Sequence, residues 1–318
     1  MTVDTQADVY AEITTVAPDP KGTARLARAY HRDVLRRLAP HVTAPERVPA
    51  TGPHPRTVWA AGELRAGRPV DEACLADIRA SLAPDGPGLP PLEHVTGVPG
   101  YPLWCRAALT DLREDMLRTA GVGTPEMTAT AASEAVARVD EAAGVLRRVW
   151  PEAAVELGLL VRAVVYVGGG AFRSATLQRN YGAVFAGVDH LRTVPAAFEM
   201  LLHETGHHSL YLRNAFGSFV DNGDDLVSHA LRPDPRPVSG TLHAAHVLAR
   251  MAAGLHRWSS DPGAPEEVVR RRDDALERLR ATTAVLRTAA RWTGAGAEYF
   301  LNLLAWQRQL TETCVSDR

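Results

Sequence analysis

The sequence predicts an α+β protein that is mainly helical and contains a small sheet. Helical patterns, with apolar side chains every three or four positions, recur along most of the 318 residues. Two stretches differ from this pattern. Val161–Val167 is a β-branched run that ends at three glycines, and Tyr181–Val188 alternates as a strand does. Both stretches lie in the second half of the chain, so the first half is predicted to be almost entirely helical.

Residues 1–150 are predicted to form a helical N-terminal region. Amphipathic patterns predict helices over 22–39, Asp71–Leu82, Leu103–Thr119 and Thr124–Val149. Prolines interrupt the stretch between the first two helices, and six prolines between Pro84 and Pro102 predict a long loop. No chemical motif is found in this region.

Residues 151–318 carry the two strand patterns and all the predicted chemistry. After the strands, the pattern predicts a helix from Pro195, then a loop and a segment too rich in proline to be helical. Charged residues at the start of the last long helix are predicted to form a solvated face. The predicted elements are the segment Leu231–Pro237, a helix capped by Ser239 that runs to about Trp258, and helices over Pro265–Trp292 and Gly296–Leu310.

Composition limits the possible partners and compartment. The net charge of −2 gives no electrostatic reason to expect binding to nucleic acid. No apolar run approaches the length of a membrane span, and the polar N-terminus lacks a signal-peptide core. Cys74, Cys105 and Cys314 are scattered without C-x-x-C spacing, which is typical of a reducing compartment. We therefore expect a cytoplasmic protein without a membrane partner.

The segment Met200–His208 contains the metal-binding pattern H-E-x-x-H. On a helix, His203 and His207 lie one turn apart on the same face, so their imidazoles can share one divalent metal ion. Glu204 lies beside them on the same side. Apolar residues lead into the motif, so the histidines are expected to emerge from a partly buried helix.

A catalytic metal site of this type uses three protein ligands and leaves a position open. His208 points about 100° away from His207 and is expected to face solvent or to lie behind the ligands. In thermolysin-like peptidases, the third ligand is a glutamate from a downstream helix. This sequence offers no clear candidate for it, because no Glu occurs between Glu204 and Glu266. The G-x-x-H completion of the metzincins is absent as well.

Histidines on the following helix offer a third ligand. His243 and His246 are three residues apart, and Arg250 continues the same face. His243 is predicted to complete a three-histidine site, and Arg250 to present a guanidinium that can hold a carboxylate near the metal. A polar stripe on an amphipathic helix is the alternative interpretation. Weaker ligand candidates in a loop are His229, Asp221, Asp224 and Asp225.

Four stretches of the second half resemble the HExxH-motif proteins of ribosomal-peptide gene clusters, which are iron- and 2-oxoglutarate-dependent peptide β-hydroxylases. These stretches are Phe172–Phe185, Leu201–His207, the R-P-D-P-R-P segment ending at Pro237, and Gly240–Arg250. The resemblance implies a zincin-like domain that uses O2 to hydroxylate a peptide or an amino-acid-derived natural-product precursor. Substrate recognition is then assigned to the N-terminal region. In such a domain, the strand Tyr181–Val188 is expected to run along the cleft as an edge strand.

The same resemblance implies the roles of particular residues. Fe(II) is expected to be held by His203, His207 and His243, and 2-oxoglutarate to lie near Arg236 or Arg250. Glu204 has no obvious role as a base in this chemistry, and is expected to orient water or a ligand.

Two alternatives remain open from the sequence. In a zinc metallopeptidase, Glu204 would act as the general base that activates zinc-bound water. In a non-catalytic peptide-binding module, a structural metal would be closed off by four protein ligands, for instance with His246 as the fourth.

Overall fold

The computed structural model describes residues 10–43, 48–82, 89–97, 101–119, 132–229 and 232–316. The protein is mainly helical with a small mixed sheet, which confirms the predicted α+β class. The helices are α1 (Pro20–Leu38), α2 (Pro55–Arg65), α3 (Glu72–Ser81), α4 (Leu103–Thr119), α5 (Ala132–Val149), α6 (Pro151–Leu160), α7 (Val194–Asn214), α8 (Val238–Ser259), α9 (Glu266–Ala289) and α10 (Gly294–Ser316). The strands are β1 (Glu93–Val95), β2 (Ala163–Val167), β3 (Ser174–Ala175), β4 (Ala183–Gly187), β5 (Leu226–His229) and β6 (Arg232–Pro237).

The main sheet has the strand order β1-β2-β4-β3, with β3 antiparallel to three parallel strands. Its two central strands are buried on both faces because their side chains alternate between two hydrophobic cores. Tyr166 and Val184 belong to the core that contains α7 and α8, whereas Val165 and Phe185 pack with Trp104 of α4. The sheet therefore supports α7 from one side.

Helices α7 and α8 approach each other closely, and glycines make this possible. A Cβ atom on Gly206 of α7 would lie 3.0 Å from Val247 Cγ1, and one on Gly254 of α8 would lie 2.3 Å from Leu202 Cδ1. Any larger side chain would push the two helices apart. The glycine inside the H-E-T-G-H sequence thus has a packing role, which brings the motif close to α8.

The main differences from the predicted elements occur where proline starts an element. Pro55 and Pro151 each begin a helix that the sequence analysis did not predict, since proline is tolerated in the first helical turn. Strand β1 lies inside the stretch predicted as a loop, and it pairs with β2. Residues 83–88 and 98–100 of that loop, and the predicted helical residues 124–131, lie outside the described residues.

The strand nearest the candidate site also differs from the expectation. Tyr181–Val188 was expected at the edge of the sheet, but β4 lies between β2 and β3, and the antiparallel strand β3 forms this edge. The proline-rich segment is extended, as expected for a non-helical stretch, and its strand β6 pairs with β5 as a hairpin. Ser239 does not cap α8; its hydroxyl donates to the Gly223 carbonyl.

The two halves of the chain share structure. Strand β1 comes from residues 1–150 and pairs with β2, and the largest hydrophobic core contains residues from both halves. The division of the chain at residue 150 stays a prediction. Across the described residues, no helix is both long and apolar enough to cross a membrane.

Candidate metal centre and its cavity

The structure brings together the three histidines that the sequence analysis proposes as metal ligands. His203 and His207 lie one turn apart on α7, with their Nε2 atoms 3.1 Å apart. His243 on α8 approaches the other side of the His207 ring, with 3.1 Å between the two Nδ1 atoms. The close packing of α7 on α8 is what brings His243 within reach.

The ring nitrogens of these three histidines do not point toward a common metal position. Among the residues that the structure describes, no three His, Cys, Asp or Glu side chains are arranged to hold a metal ion. The reason is visible in the contacts of His207, because His203 meets its Nε2 and His243 meets its Nδ1. The two nitrogens of one imidazole point in different directions, so one metal ion can use only one of them. A three-histidine site therefore requires the ring of His243 or His207 to turn.

The protonation state of the rings suits metal binding. Burial lowers the pKa of His207 to about 4, and burial lowers that of His243 to about 3. Both rings are therefore neutral near pH 7, and neutral imidazole is the form that binds metals.

Glu204 lies beside this cluster and is almost fully buried. Its Oε1 atom is 3.9 Å from His203 Nε2, and neither carboxyl oxygen has a hydrogen-bond partner of normal geometry among the described residues. Burial raises the pKa of Glu204 to about 7, although the hydroxyl groups of Ser174 and Thr176 partly lower it. A buried carboxyl that is next to a histidine nitrogen and only weakly held by its neighbours among the described residues suits a site that receives a metal ion or its bound water.

A cavity of about 510 Å³ opens in front of His203 and His207. One part of its wall is apolar and includes Met200, Leu248 and Met251. The charged part consists of four arginines and one glutamate, so it is strongly cationic when the histidines are neutral. These charged residues are Arg173, Glu199, Arg236, Arg271 and Arg278.

Arg236 is the cavity arginine that the sequence analysis names. It lies on β6, is half-buried, and forms no ion pair with the described part of the chain. Its Nε atom is buried without a hydrogen-bond partner. A half-buried cation that pairs with no carboxylate of the described residues is favourable only if a ligand or water compensates it, so Arg236 is suited to bind an anion.

Arg250 occupies a different place from the one expected. It does not line the cavity; it is buried behind α7, where its guanidinium is paired with the Glu156 carboxylate and donates to the Val16 carbonyl at 3.1 Å. Arg213 approaches the same carboxylate at 3.9 Å. We correct the expectation accordingly, because a guanidinium held by a buried carboxylate stabilises the fold and is not free to bind a cosubstrate.

The remaining sequence-derived candidates also lie away from the cavity wall. His208 is fully buried, and its Nε2 is 3.1 Å from the Ala183 carbonyl oxygen, so it does not face solvent. His246 is buried against the Tyr299 hydroxyl. The loop aspartates do not line the cavity either, and the side chain of His229 lies outside the described residues.

Three of the cavity arginines were missed by sequence reasoning. Arg173 immediately precedes β3, whereas Arg271 and Arg278 lie two turns apart on α9. Arg271 belongs to the charge run that was predicted to be a solvated face, but it is half-buried and contacts Glu199 and Glu267. No local motif marks these residues, since only the tertiary fold brings them to the histidines.

Comparison with known proteins adds no assignment. The chain matches no protein-family model, and a search of curated proteins finds no match.

Proposed function

We propose that the protein is an Fe(II)- and 2-oxoglutarate-dependent hydroxylase acting on a peptide or an amino-acid-derived substrate. In the overall reaction, the substrate C–H, 2-oxoglutarate and O2 give the hydroxylated carbon, succinate and CO2. The observation that carries the proposal is Arg236, a cation in the wall of the cavity that contains His203 and His207, for which the described part of the chain provides no ion pair. A dicarboxylate that reaches the metal ligands would have its far carboxylate matched by such a residue.

The residues present suit an iron ion. His203, His207 and His243 would hold it through their imidazoles, which are suitable ligands for iron, and burial keeps the rings of His207 and His243 neutral near pH 7. Once bound, the iron supplies the activation of O2 that hydroxylation of an unactivated carbon requires. Glu204, whose carboxyl lies 3.9 Å from His203 Nε2, would orient the His203 ring or a ligand of the iron.

The chain itself contributes orientation and exclusion of water. Arg236 would bind a carboxylate with two parallel N–H···O bonds, which fixes both the position and the angle of the cosubstrate. The apolar wall around Met200 and Met251 limits the access of water to the same space. Low water content strengthens the electrostatic contact at Arg236.

One observation supports a second candidate function, that of a zinc metallopeptidase. The Glu204 carboxyl lies next to His203, and its pKa of about 7, raised by burial, suits a group that exchanges protons near neutral pH. Two features favour the hydroxylase over this reading. Glu204 does not line the cavity, and the peptidase mechanism leaves Arg236 without a task.

The binding of 2-oxoglutarate separates the two proposals. Protein loaded anaerobically with Fe(II) should bind 2-oxoglutarate in calorimetry, and it should form succinate when O2 is admitted. Arg236→Gln should weaken this binding by about ten- to a hundred-fold while metal content stays the same, since a hydrogen-bonded charge pair is lost. Arg287→Gln, at an exposed position of α9 outside the cavity, is the matched control.

Two results would contradict the proposed hydroxylase. A zinc-loaded protein that cleaves peptides without 2-oxoglutarate, and that loses this activity in the Glu204→Gln variant, would replace the hydroxylase with the peptidase. Absence of 2-oxoglutarate binding by the iron-loaded protein would also reject the hydroxylase.

A further inference from the structure

We propose that the cavity recognises an acidic peptide segment, and that Arg173 and Arg278 are the residues that select it. This inference names the substrate class of the proposed hydroxylase and rests on that function for its biological meaning. It concerns cavity arginines other than Arg236, so it can be tested by binding alone.

The cationic wall is larger than one dicarboxylate needs. Beside the main cavity lies a second hollow of about 270 Å³, whose wall shares Arg173, Glu199, Arg271 and Arg278 with the main cavity and also includes Arg270, Glu267 and Asp274. Its three carboxylates lie against Arg271 and Arg278. If Arg236 binds the cosubstrate, Arg173 and Arg278 remain as further cations in the wall of the same cavity. An anionic substrate is the ligand that these two arginines would attract.

The arginines differ in how strongly the protein already occupies them. Arg271 is held by Glu199 and Glu267, so its charge is largely compensated. Among the described residues, the ion pair of Arg278 is a contact of 3.5 Å with Asp274, and both of these side chains are substantially exposed. Surface pairs of this type contribute little to stability and are readily exchanged for a ligand.

Arg173 has no protein anion of its own. It is exposed, and no ion pair joins its side chain to another residue in the described ranges. Its backbone is nevertheless fixed, because its carbonyl accepts a hydrogen bond from Gly187 N at 2.7 Å at the edge of the sheet. The side chain therefore extends from a rigid position next to the cavity, which suits a residue that reads a substrate.

The length of the charged face of α9 favours a peptide over a small dicarboxylate as the ligand. Arg271 and Arg278 are seven residues apart on one helix face, which corresponds to about 10 Å along the axis. About three residues of an extended peptide, at roughly 3.3 Å each, cover this distance. A peptide that places one acidic residue at Arg278 can therefore extend along this face of α9, and a second acidic residue can meet Arg173, which lines the same two hollows. One small dicarboxylate cannot cover this length.

The test measures binding alone, with the purified full-length protein in its metal-bound form and without added 2-oxoglutarate. Two octapeptides of otherwise identical Ala, Gly and Ser sequence are compared in calorimetry, one with two Asp residues three positions apart and one with Asn at those positions. We expect the acidic peptide to bind at least tenfold more tightly, and this difference to shrink as salt is raised. Arg173→Gln and Arg278→Gln should each weaken the acidic peptide by about five- to fifty-fold, since each removes one charged hydrogen bond.

The same charge change outside the cavity provides the control. Arg287→Gln, on the same helix as Arg278, should leave the affinity for the acidic peptide within about twofold. Equal binding of the two peptides, or equal affinities of the Arg173→Gln and Arg287→Gln variants, would overturn the inference. Displacement of the acidic peptide by inorganic phosphate at equal concentration would overturn it too, because the wall would then be a general anion site. As no turnover is measured, failure of the hydroxylase reaction leaves these outcomes unaffected.

Discussion

Replacing Arg250 with methionine tests whether this arginine stabilises the fold or binds the cosubstrate. Methionine keeps most of the volume and removes the charge. In the structure, Arg250 and its partner Glu156 are almost entirely inaccessible to solvent, so the variant leaves a buried carboxylate with Arg213 as its remaining cation. Breaking a buried ion pair from one side costs about 3–5 kcal/mol, which is a large part of the roughly 5–15 kcal/mol that stabilises a typical domain.

The assay is urea unfolding followed by circular dichroism, with 2-oxoglutarate binding measured on the same samples. Arg250→Met should lower the free energy of unfolding by about 3–5 kcal/mol, and Glu156→Gln by a similar amount. The double variant should be less destabilised than the sum of the two, because the pair interacts directly. Arg236→Met is the matched control. Its free energy of unfolding should change by less than about 0.5 kcal/mol, while 2-oxoglutarate binding weakens.

One result would refute this reasoning. If Arg250→Met unfolds at the wild-type urea concentration and has lost 2-oxoglutarate binding, then Arg250 serves the cosubstrate as the sequence pattern alone suggests. The pair with Glu156 would in that case contribute nothing to stability.

Three further predictions concern the metal and pH. His203→Ala should abolish metal retention measured by elemental analysis, whereas His190→Ala, also in the cavity wall, should retain the metal; equal loss would mean that the ligands are misassigned. Burial holds the pKa of His246 well below its usual value of 6.5, so only the unfolded chain takes up this proton as the pH falls. Unfolding free energy should therefore decrease below pH 6.5, and His246→Phe should reduce this slope by up to about 1.4 kcal/mol per pH unit; identical slopes would exclude the effect. Replacing Cys105 and Cys314 with alanine should leave the metal content unchanged, and loss of metal from a folded variant would indicate thiolate ligation.

Amphipathic patterns predicted several of the helices from the local sequence alone. The helix Leu103–Thr119 has the bounds that its pattern predicts. Pro55 was interpreted as an interruption, and no helix was predicted after Pro151, although each of these residues starts a helix. Proline can end one helix and begin another, so its presence alone does not decide between the two. The three-residue strand β1 carries no periodic signal, and its pairing with β2 depends on contacts between residues about 70 positions apart.

The candidate site was predictable only where a motif is local. The i, i+4 spacing of His203 and His207 is a property of one helix. By contrast, the environment of Arg250 depends on Glu156, which lies 94 positions earlier in the chain. A polar stripe on α8 looks the same in the sequence whether it faces a ligand or a buried carboxylate. Arg173 was missed for the same physical reason, since nothing in its neighbours indicates that it reaches the cavity.

The contacts behind α7 also affect when different parts of the chain can fold. Arg250 donates to the Val16 carbonyl and Arg213 to the Thr15 carbonyl, so residues near the start of the chain bind partners 234 and 198 positions later. Asn302 reaches Thr14 across 288 positions. During synthesis, the segment Thr14–Val16 therefore lacks these partners until Arg213, Arg250 and Asn302 have been made. Contacts of such long range form slowly, so we expect the packing of Thr14–Val16 behind the metal-motif helix to form late in folding.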